Sequence, residues 1–205
     1  GDITNLDSLA QITTINENCY IQYNSALLDL QGLSGLTSVG YLRITSNAAL
    51  ISLEGINALR NSNQVEITNN DLLVDLTALS NLDTVAATIY IYSNFSLPSI
   101  SGWDSLKTVG ALQIENNGSL TDITLPNSLS EIQTIGISNN HQLISISGLQ
   151  DLDTLTNLYI GHNTLLTSIN AFSNIAYVAQ NITITNCPAL PDLLGFSGLN
   201  RVDGS

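Results

Sequence analysis

A short phrase recurs through the chain with a period of 23 or 24 residues. Each copy contains an apolar residue, any residue and Ile, then Asn three positions after the Ile and Leu three positions after the Asn, as in LRITSNAAL at 42–50. A strict period of this length is typical of a solenoid, in which each coil buries its apolar row only against neighbouring coils. The reference Asn position is occupied by Asn24, Asn47, Asn70, Asn94, Asn117, Asn140, Asn163 and, in the last copy, Cys187.

The apolar-x-Ile triplet alternates inward and outward, which is the period of a β-strand. The second half of each coil has apolar residues at every third position and several glycines, so it favours short strands, turns and 3₁₀ turns over an α-helix. The sequence therefore predicts a mainly β fold, a right-handed parallel β-solenoid of about eight coils with little or no helix. Residues 1–205 form a single domain in this prediction, beginning and ending mid-coil. We expect a neighbouring domain or another protomer to cover an uncapped end.

The recurring Asn follows the strand, where the chain turns. An inward amide at this point can donate to and accept from the backbone of its own coil and of adjacent coils. We therefore predict that the reference Asn side chains form a ladder along the stack and serve the fold, with Cys187 in the last position.

The segments NSALLDLQGLSGLTSVGYLRI (24–44) and NHQLISISGLQDLDTLTNLYI (140–160) combine a strand, an Asn, a Leu and a following Gly-Leu. This pattern resembles the leucine-rich repeat and, more closely, the receptor L-domain and related cell-surface repeats. The resemblance covers essentially the whole chain. It implies a non-enzymatic extracellular module for binding or adhesion. The Cys-rich modules that flank animal receptor L-domains have no counterpart in this sequence.

The chain is strongly acidic, with a formal net charge of −13 from 17 Asp and Glu against 4 Lys and Arg. Such a surface repels phosphate backbones and anionic lipids, so we expect no nucleic-acid partner. No apolar run of about 18 residues is present, which predicts no membrane span. A Lys-poor chain that is rich in Thr and Asn favours an extracellular or cell-surface location.

Neither a metal site nor a cofactor site is predicted. Cys19 and Cys187 lie seven coils apart, which is too far for a disulfide, so we expect two unpaired thiols. No carboxylate or Cys completes a metal-binding spacing around His141 and His162. Alternating Asp and Ser five residues after the reference Asn would place the carboxylates two coils apart, about 10 Å, which is too far to share a calcium ion.

Binding residues are expected on the outward face of the strands, where the repeat is irregular. We name the position four residues before the reference Asn the central column and the position two residues before it the late column. Both columns should point into solvent, and solenoids bind partners through such extended surfaces. The candidate binding residues are Arg43, Glu66, Tyr90 and Tyr159 in the central column and Tyr92 and Glu115 in the late column.

Three functions are compatible with this pattern. The first is recognition or adhesion, with a protein or glycan ligand on the outward sheet face. The second is ice binding, which needs a regular T-x-T array; only the last coil has one, in Thr183 and Thr185. The third is a polysaccharide-active β-helix enzyme, which needs clustered charges, whereas the cations are scattered over distant coils. The sequence favours the first function and predicts no enzymatic activity.

Overall fold

The parallel β-solenoid is confirmed by a computed structural model that describes residues 2–204. In this range, 14 strands and five 3₁₀ turns of three residues account for the regular structure, and there is no α-helix. The strands are β1 (Thr14–Gln22), β2 (Ser38–Thr45), β3 (Asn61–Thr68), β4 (Thr84–Tyr92), β5 (Ser99–Ile100), β6 (Thr108–Glu115), β7 (Asp122–Leu125), β8 (Glu131–Ser138), β9 (Ser145–Gly148), β10 (Thr154–Leu155), β11 (Asn157–Gly161), β12 (Tyr177–Val178), β13 (Ile182–Thr185) and β14 (Arg201–Val202).

One strand from each of eight coils contributes to the main sheet, in the order β1-β2-β3-β4-β6-β8-β11-β13. Every strand pair in the main sheet is parallel, because each coil returns the chain to the end of the sheet where the previous strand began. Two smaller sheets complete the structure: β10-β12-β14 continues the amino-terminal part of the main sheet beyond β8, and β5-β7-β9 forms in the segment that follows the reference Asn. The predicted architecture of about eight coils is thus present.

The sheet register follows the sequence columns. The Ile three residues before the reference Asn pairs with its equivalent in the next coil, as in Ile21↔Ile44 and Ile44↔Ile67. These Ile residues and the recurring leucines form one hydrophobic cluster that begins at Leu6 and is fully buried in the central coils. Burying each such side chain contributes about 1.5–3 kcal/mol, so the inward columns account for most of the stability.

The second half of several coils forms a 3₁₀ turn, in agreement with apolar residues at every third position. Side chains at i and i+3 eclipse in this geometry, so one face of the short turn can be buried. The turns are η1 (Asp7–Leu9), η2 (Gln31–Leu33), η3 (Thr77–Leu79), η4 (Asn170–Phe172) and η5 (Leu194–Phe196).

The residue immediately before each reference Asn adopts a left-handed conformation, with φ between 52° and 59°. This left-handed turn is not predicted from the sequence. Asn and His, which tolerate this region better than most residues, fill five of these positions, Ser fills two and a Tyr fills the first. The left-handed residue ends the strand and redirects the chain. The positions are Tyr23, Ser46, Asn69, Ser93, Asn116, Asn139, His162 and Asn186.

The reference Asn side chains form a continuous hydrogen-bonded ladder inside the stack. The backbone N–H of Asn94 donates to Asn117 Oδ1 at 3.0 Å, and that of Asn117 donates to Asn140 Oδ1 at 2.9 Å. Each amide nitrogen donates backwards to a strand carbonyl, as Asn117 Nδ2 does to Ile91 O at 3.2 Å. The six amides from Asn47 to Asn163 are fully buried, whereas Asn24 is half-buried. Cys187 lies at the equivalent position, and its Sγ is 3.5 Å from Thr185 O.

Candidate functional site

The outward face of the main sheet has three columns of side chains, whereas the repeat pattern predicts two. The additional column, which we name the early column, lies six residues before the reference Asn. Continuing the strand alternation back by two residues would have found it. It contains Asn18, Tyr41, Gln64, Thr88, Ala111, Thr134, Asn157 and Asn181.

Arg43, Glu66 and Tyr41 form a polar cluster across strands β2 and β3. Arg43 Nε lies 3.1 Å from Glu66 Oε1, and the Tyr41 hydroxyl donates to Glu66 Oε2. The Arg43 contact is an ion pair, since its N–H does not meet hydrogen-bond geometry. Burial and then the Glu66 carboxylate raise the pKa of Tyr41 to about 12. Tyr41 is therefore a neutral hydrogen-bond donor at physiological pH.

Tyr90 and Tyr92 lie on strand β4 next to this cluster. Their rings stack with centroids 5.7 Å apart and planes 7° from parallel. Sheet register places Tyr90 beside Glu66 and Tyr92 beside Glu115. Burial raises the pKa of Tyr90, and the nearby Glu115 carboxylate raises it further. The pair thus offers a stacked aromatic surface with carboxylates on both sides.

A third aromatic contact extends the surface to the first strand. The ring of Tyr20 on β1 meets the ring of Tyr41 on β2 edge to face, with centroids 5.4 Å apart. Tyr20 is 49% exposed, whereas the other side chains of this surface are half-buried. Half-buried side chains held by ion pairs and ring contacts lose little freedom on binding, which favours recognition. We name this surface the tyrosine patch; it comprises Tyr20, Tyr41, Arg43, Glu66, Tyr90, Tyr92 and Glu115.

Five of the six predicted binding residues are brought together in the tyrosine patch, and Tyr159 is not. Tyr159 lies on β11, which is three strands from Tyr90 on β4, or about 14 Å. Its ring bends along its own strand over Gly161, where an added Cβ would be 2.4 Å from the Tyr159 hydroxyl. Tyr159 therefore occupies the same face but a separate position.

Short side chains in the late column are covered rather than exposed. Thr45 and Thr68 are only 3% and 4% exposed, and their hydroxyls lie 2.6 Å apart. Ser138 in the same column is 5% exposed. The expectation that every late-column residue projects into solvent was therefore wrong for these short side chains. These threonines present no regular hydroxyl array to water.

No family model matches this chain, and no curated protein or solved structure matches it. The solenoid fold does not by itself identify a leucine-rich-repeat or receptor L-domain family. No helix in residues 2–204 is long and apolar enough to cross a membrane.

The cysteines, the possible metal ligands and the other charged pairs lie apart from one another. Cys19 and Cys187 are free, half-buried thiols, and burial raises the pKa of Cys19. No three His, Cys, Asp or Glu side chains of the described chain lie close enough together to hold a metal ion. Beyond Arg43, two cations form ion pairs: Lys107 with Asp83 at 2.9 Å, and Arg201 with its near neighbour Asp203 at 2.6 Å. These pairs lie in distant coils, as the sequence suggested.

Proposed function

We propose that this chain is a recognition or adhesion module of the cell surface, without enzymatic activity, that binds a protein or glycan ligand through the tyrosine patch. The observation that carries the proposal is the contrast between the two faces of the main sheet. The inward columns repeat Leu, Ile and Asn in every central coil, whereas the outward columns bring Tyr, Arg and Glu together only on β1 to β6. A residue that serves only the fold would repeat along the stack.

The composition of the patch supports a binding role. Tyr and Arg are enriched where partners contribute most binding free energy, because each joins a large contact area to a hydrogen-bonding group. Tyr90 and Tyr92 provide a rigid stacked pair, while Arg43 and Glu66 are already paired with each other. The patch therefore suits a ligand that contacts aromatic rings and donates hydrogen bonds to carboxylates. The covered Thr45 and Thr68 give the ice-binding alternative no support on this face.

The test starts from purified protein screened against printed glycans and against secreted and surface ectodomains, with affinities of the hits measured by calorimetry. Tyr90→Ala/Tyr92→Ala should weaken binding of a genuine ligand by at least about tenfold, because each ring is a candidate anchor. Tyr23→Ala is the matched control, since Tyr23 is 70% exposed and lies outside the patch. Equal loss in the control, or full affinity in the double variant, would refute the proposed face.

The proposal also includes a neighbouring domain or protomer on an end of the stack. In the last coils the core columns are only half-buried, at Ile182, Ile184, Leu190 and Phe196, and Leu194 is 73% exposed. Apolar surface of this kind favours association. Light scattering across a concentration series should detect self-association through this end, and Leu194→Glu should weaken it. A monomer at every concentration would exclude the protomer and leave only a neighbouring domain.

A further inference from the structure

A second candidate site, which is concave, lies beside the tyrosine patch, at the amino-terminal ends of the main-sheet strands. It is a groove of about 430 Å³ that crosses coils from β4 to β12. This volume falls in the range of ligand pockets, about 300–1,000 Å³. The groove owes its depth to missing side chains: Ala86 and Ala179 line it, and a Cβ on Gly110 would fall 2.5 Å from Ala87 O.

The floor of the groove is apolar and its walls are polar. Val109, Ile132 and Leu155 lie beneath the groove as buried members of the hydrophobic core, and Ala86 and Ala179 contribute the more accessible apolar side chains. Of the polar side chains that line the groove, Ser130 Oγ donates to Lys107 O and the Tyr177 hydroxyl donates to Asp203 Oδ2, whereas five others form no side-chain hydrogen bond within the described chain and are half-buried or exposed. Unpaired polar groups that converge over an apolar floor are the composition of a ligand site. In this groove the five unpaired polar side chains are Thr108, Glu131, Gln133, Thr154 and Thr156.

These polar groups repeat along the groove at the spacing of the coils. Thr108 pairs in register with Glu131, and Thr154 pairs with Tyr177. The backbone N–H of Thr156 donates to Gln133 O at 2.9 Å, which stacks those two residues as a second row. Four coils at a strand spacing of about 4.8 Å give a row roughly 15 Å long. A linear ligand with a repeating unit fits such a row.

The backbone around the groove is already paired between coils. Thr156 O accepts from the Gln180 N–H at 2.8 Å, and Leu155 O accepts from the Ala179 N–H at 2.8 Å. The groove therefore presents no free strand edge for an extended peptide, which binds mainly through backbone hydrogen bonds. It presents hydroxyl and amide side chains instead, which match the hydroxyl groups of a sugar.

The charge of the groove restricts the class of ligand further. Glu131 is the one charged side chain lining the groove, and the chain as a whole has a net charge of −13. A polyanionic sugar would be repelled, because no cation lines the groove to pair with it. From the floor, the two polar rows and this charge, we propose that the groove binds an uncharged linear glycan lying across four coils. This inference does not depend on the proposed function of the tyrosine patch.

The test uses the full chain on an array of neutral linear oligosaccharides of four to eight sugar units, with oligogalacturonate as the acidic counterpart and an uncharged unstructured peptide as the alternative ligand. At least one neutral oligosaccharide should bind with a saturable one-to-one isotherm, and its monosaccharide should bind far more weakly. Failure of every neutral glycan, or equal binding of oligogalacturonate or of the peptide, would overturn the inference.

Two variants locate the binding. Gln133→Ala/Thr156→Ala removes two polar groups and should weaken binding by about tenfold. Thr154→Trp fills the groove from an exposed position and should abolish binding. Gln142→Ala/Thr183→Ala is the matched control, because both residues are exposed and lie outside the groove. Thermal unfolding monitored by circular dichroism checks that each variant folds.

The tyrosine-patch variant separates the two sites. Tyr90→Ala/Tyr92→Ala should leave binding of the neutral glycan unchanged. If it abolishes that binding while the groove variants retain it, the glycan binds at the tyrosine patch and the groove inference fails, although the proposed function stands. If only the groove variants lose it, the groove inference stands independently of the patch.

Discussion

Replacing Asn117 by Ala tests the hydrogen-bonded ladder at the centre of the stack. Asn117 is fully buried, and its side chain makes three hydrogen bonds of 3.2 Å or less. Its Oδ1 accepts from the Asn94 backbone N–H, and its Nδ2 donates to Ile91 O and Glu115 O. Glu115 O keeps a second donor, the Ser93 N–H at 3.1 Å. The Asn94 N–H loses the side-chain acceptor that satisfies it.

The expected cost follows from these contacts. Each of the two lost Nδ2 bonds contributes about 0.5–1.5 kcal/mol, and leaving the buried Asn94 N–H unsatisfied costs about 1–3 kcal/mol. We expect Asn117→Ala to lower the free energy of unfolding by about 4 kcal/mol, out of a typical total of about 5–15 kcal/mol. For a chain of this size the unfolding midpoint should fall by roughly 10 °C.

Urea unfolding followed by circular dichroism and by fluorescence provides the measurement. Trp103 is the single Trp of the chain and is 2% exposed, so its emission reports on the middle of the stack. Asn63→Ala is the control on an exposed Asn and should cost less than about 0.5 kcal/mol. Asn24→Ala removes a half-buried amide at the start of the ladder and should fall between the two. A cost for Asn117→Ala no larger than that of Asn63→Ala would refute the ladder as a source of stability.

Three further predictions concern titration, backbone conformation and thiols. The pKa of Tyr41 is raised from 10.0 to about 12, so the stability that it contributes is complete below pH 10 and is lost as the pH approaches 12. In an ultraviolet titration, Glu66→Gln should lower this pKa only partly, because burial is the larger cause of the shift. Gly148→Ala should cost at least about 3 kcal/mol in thermal unfolding, since φ is 101° and the new Cβ would lie 1.9 Å from Leu125 O, whereas Gly102→Ala, with φ 79° and no contact under 3.7 Å, should cost about 1 kcal/mol. Cys19 should react with a thiol reagent slowly in the native state and rapidly in urea, and mass spectrometry without reductant should find no disulfide.

The inward-facing side chains could be predicted residue by residue, because each buried position accepts one kind of side chain and every coil must repeat it. The Ile and Leu columns are equally buried in every central coil. The reference Asn was correctly interpreted as inward, since only a hydrogen-bonded amide can be buried at a turn without a large desolvation cost. Periodicity therefore carries structural information wherever a side chain contacts the neighbouring coils.

The outward-facing side chains were harder to predict, because their exposure depends on adjacent side chains that the position within the repeat does not specify. Thr45 and Thr68 occupy an outward column but are buried, with their hydroxyls 2.6 Å apart. Tyr41 was missed because the strand alternation was followed back only to the central column, although it continues for two more residues to the early column. The groove was missed because it lies before the early column, where the small residues Ala86, Gly110 and Ala179 leave outward positions unfilled.

The two candidate sites arise from opposite departures from the repeat. The tyrosine patch adds large side chains to outward positions, whereas the groove omits them at Ala86, Gly110 and Ala179. An exposed substitution typically changes stability by no more than about 0.5 kcal/mol, while an apolar truncation in the core costs about 2–5 kcal/mol. A solenoid can therefore vary its outer surface strand by strand without losing its core. Because both sites share strands β4 and β6, one at each end of these strands, substitutions in one should change its own ligand affinity and leave the other unchanged.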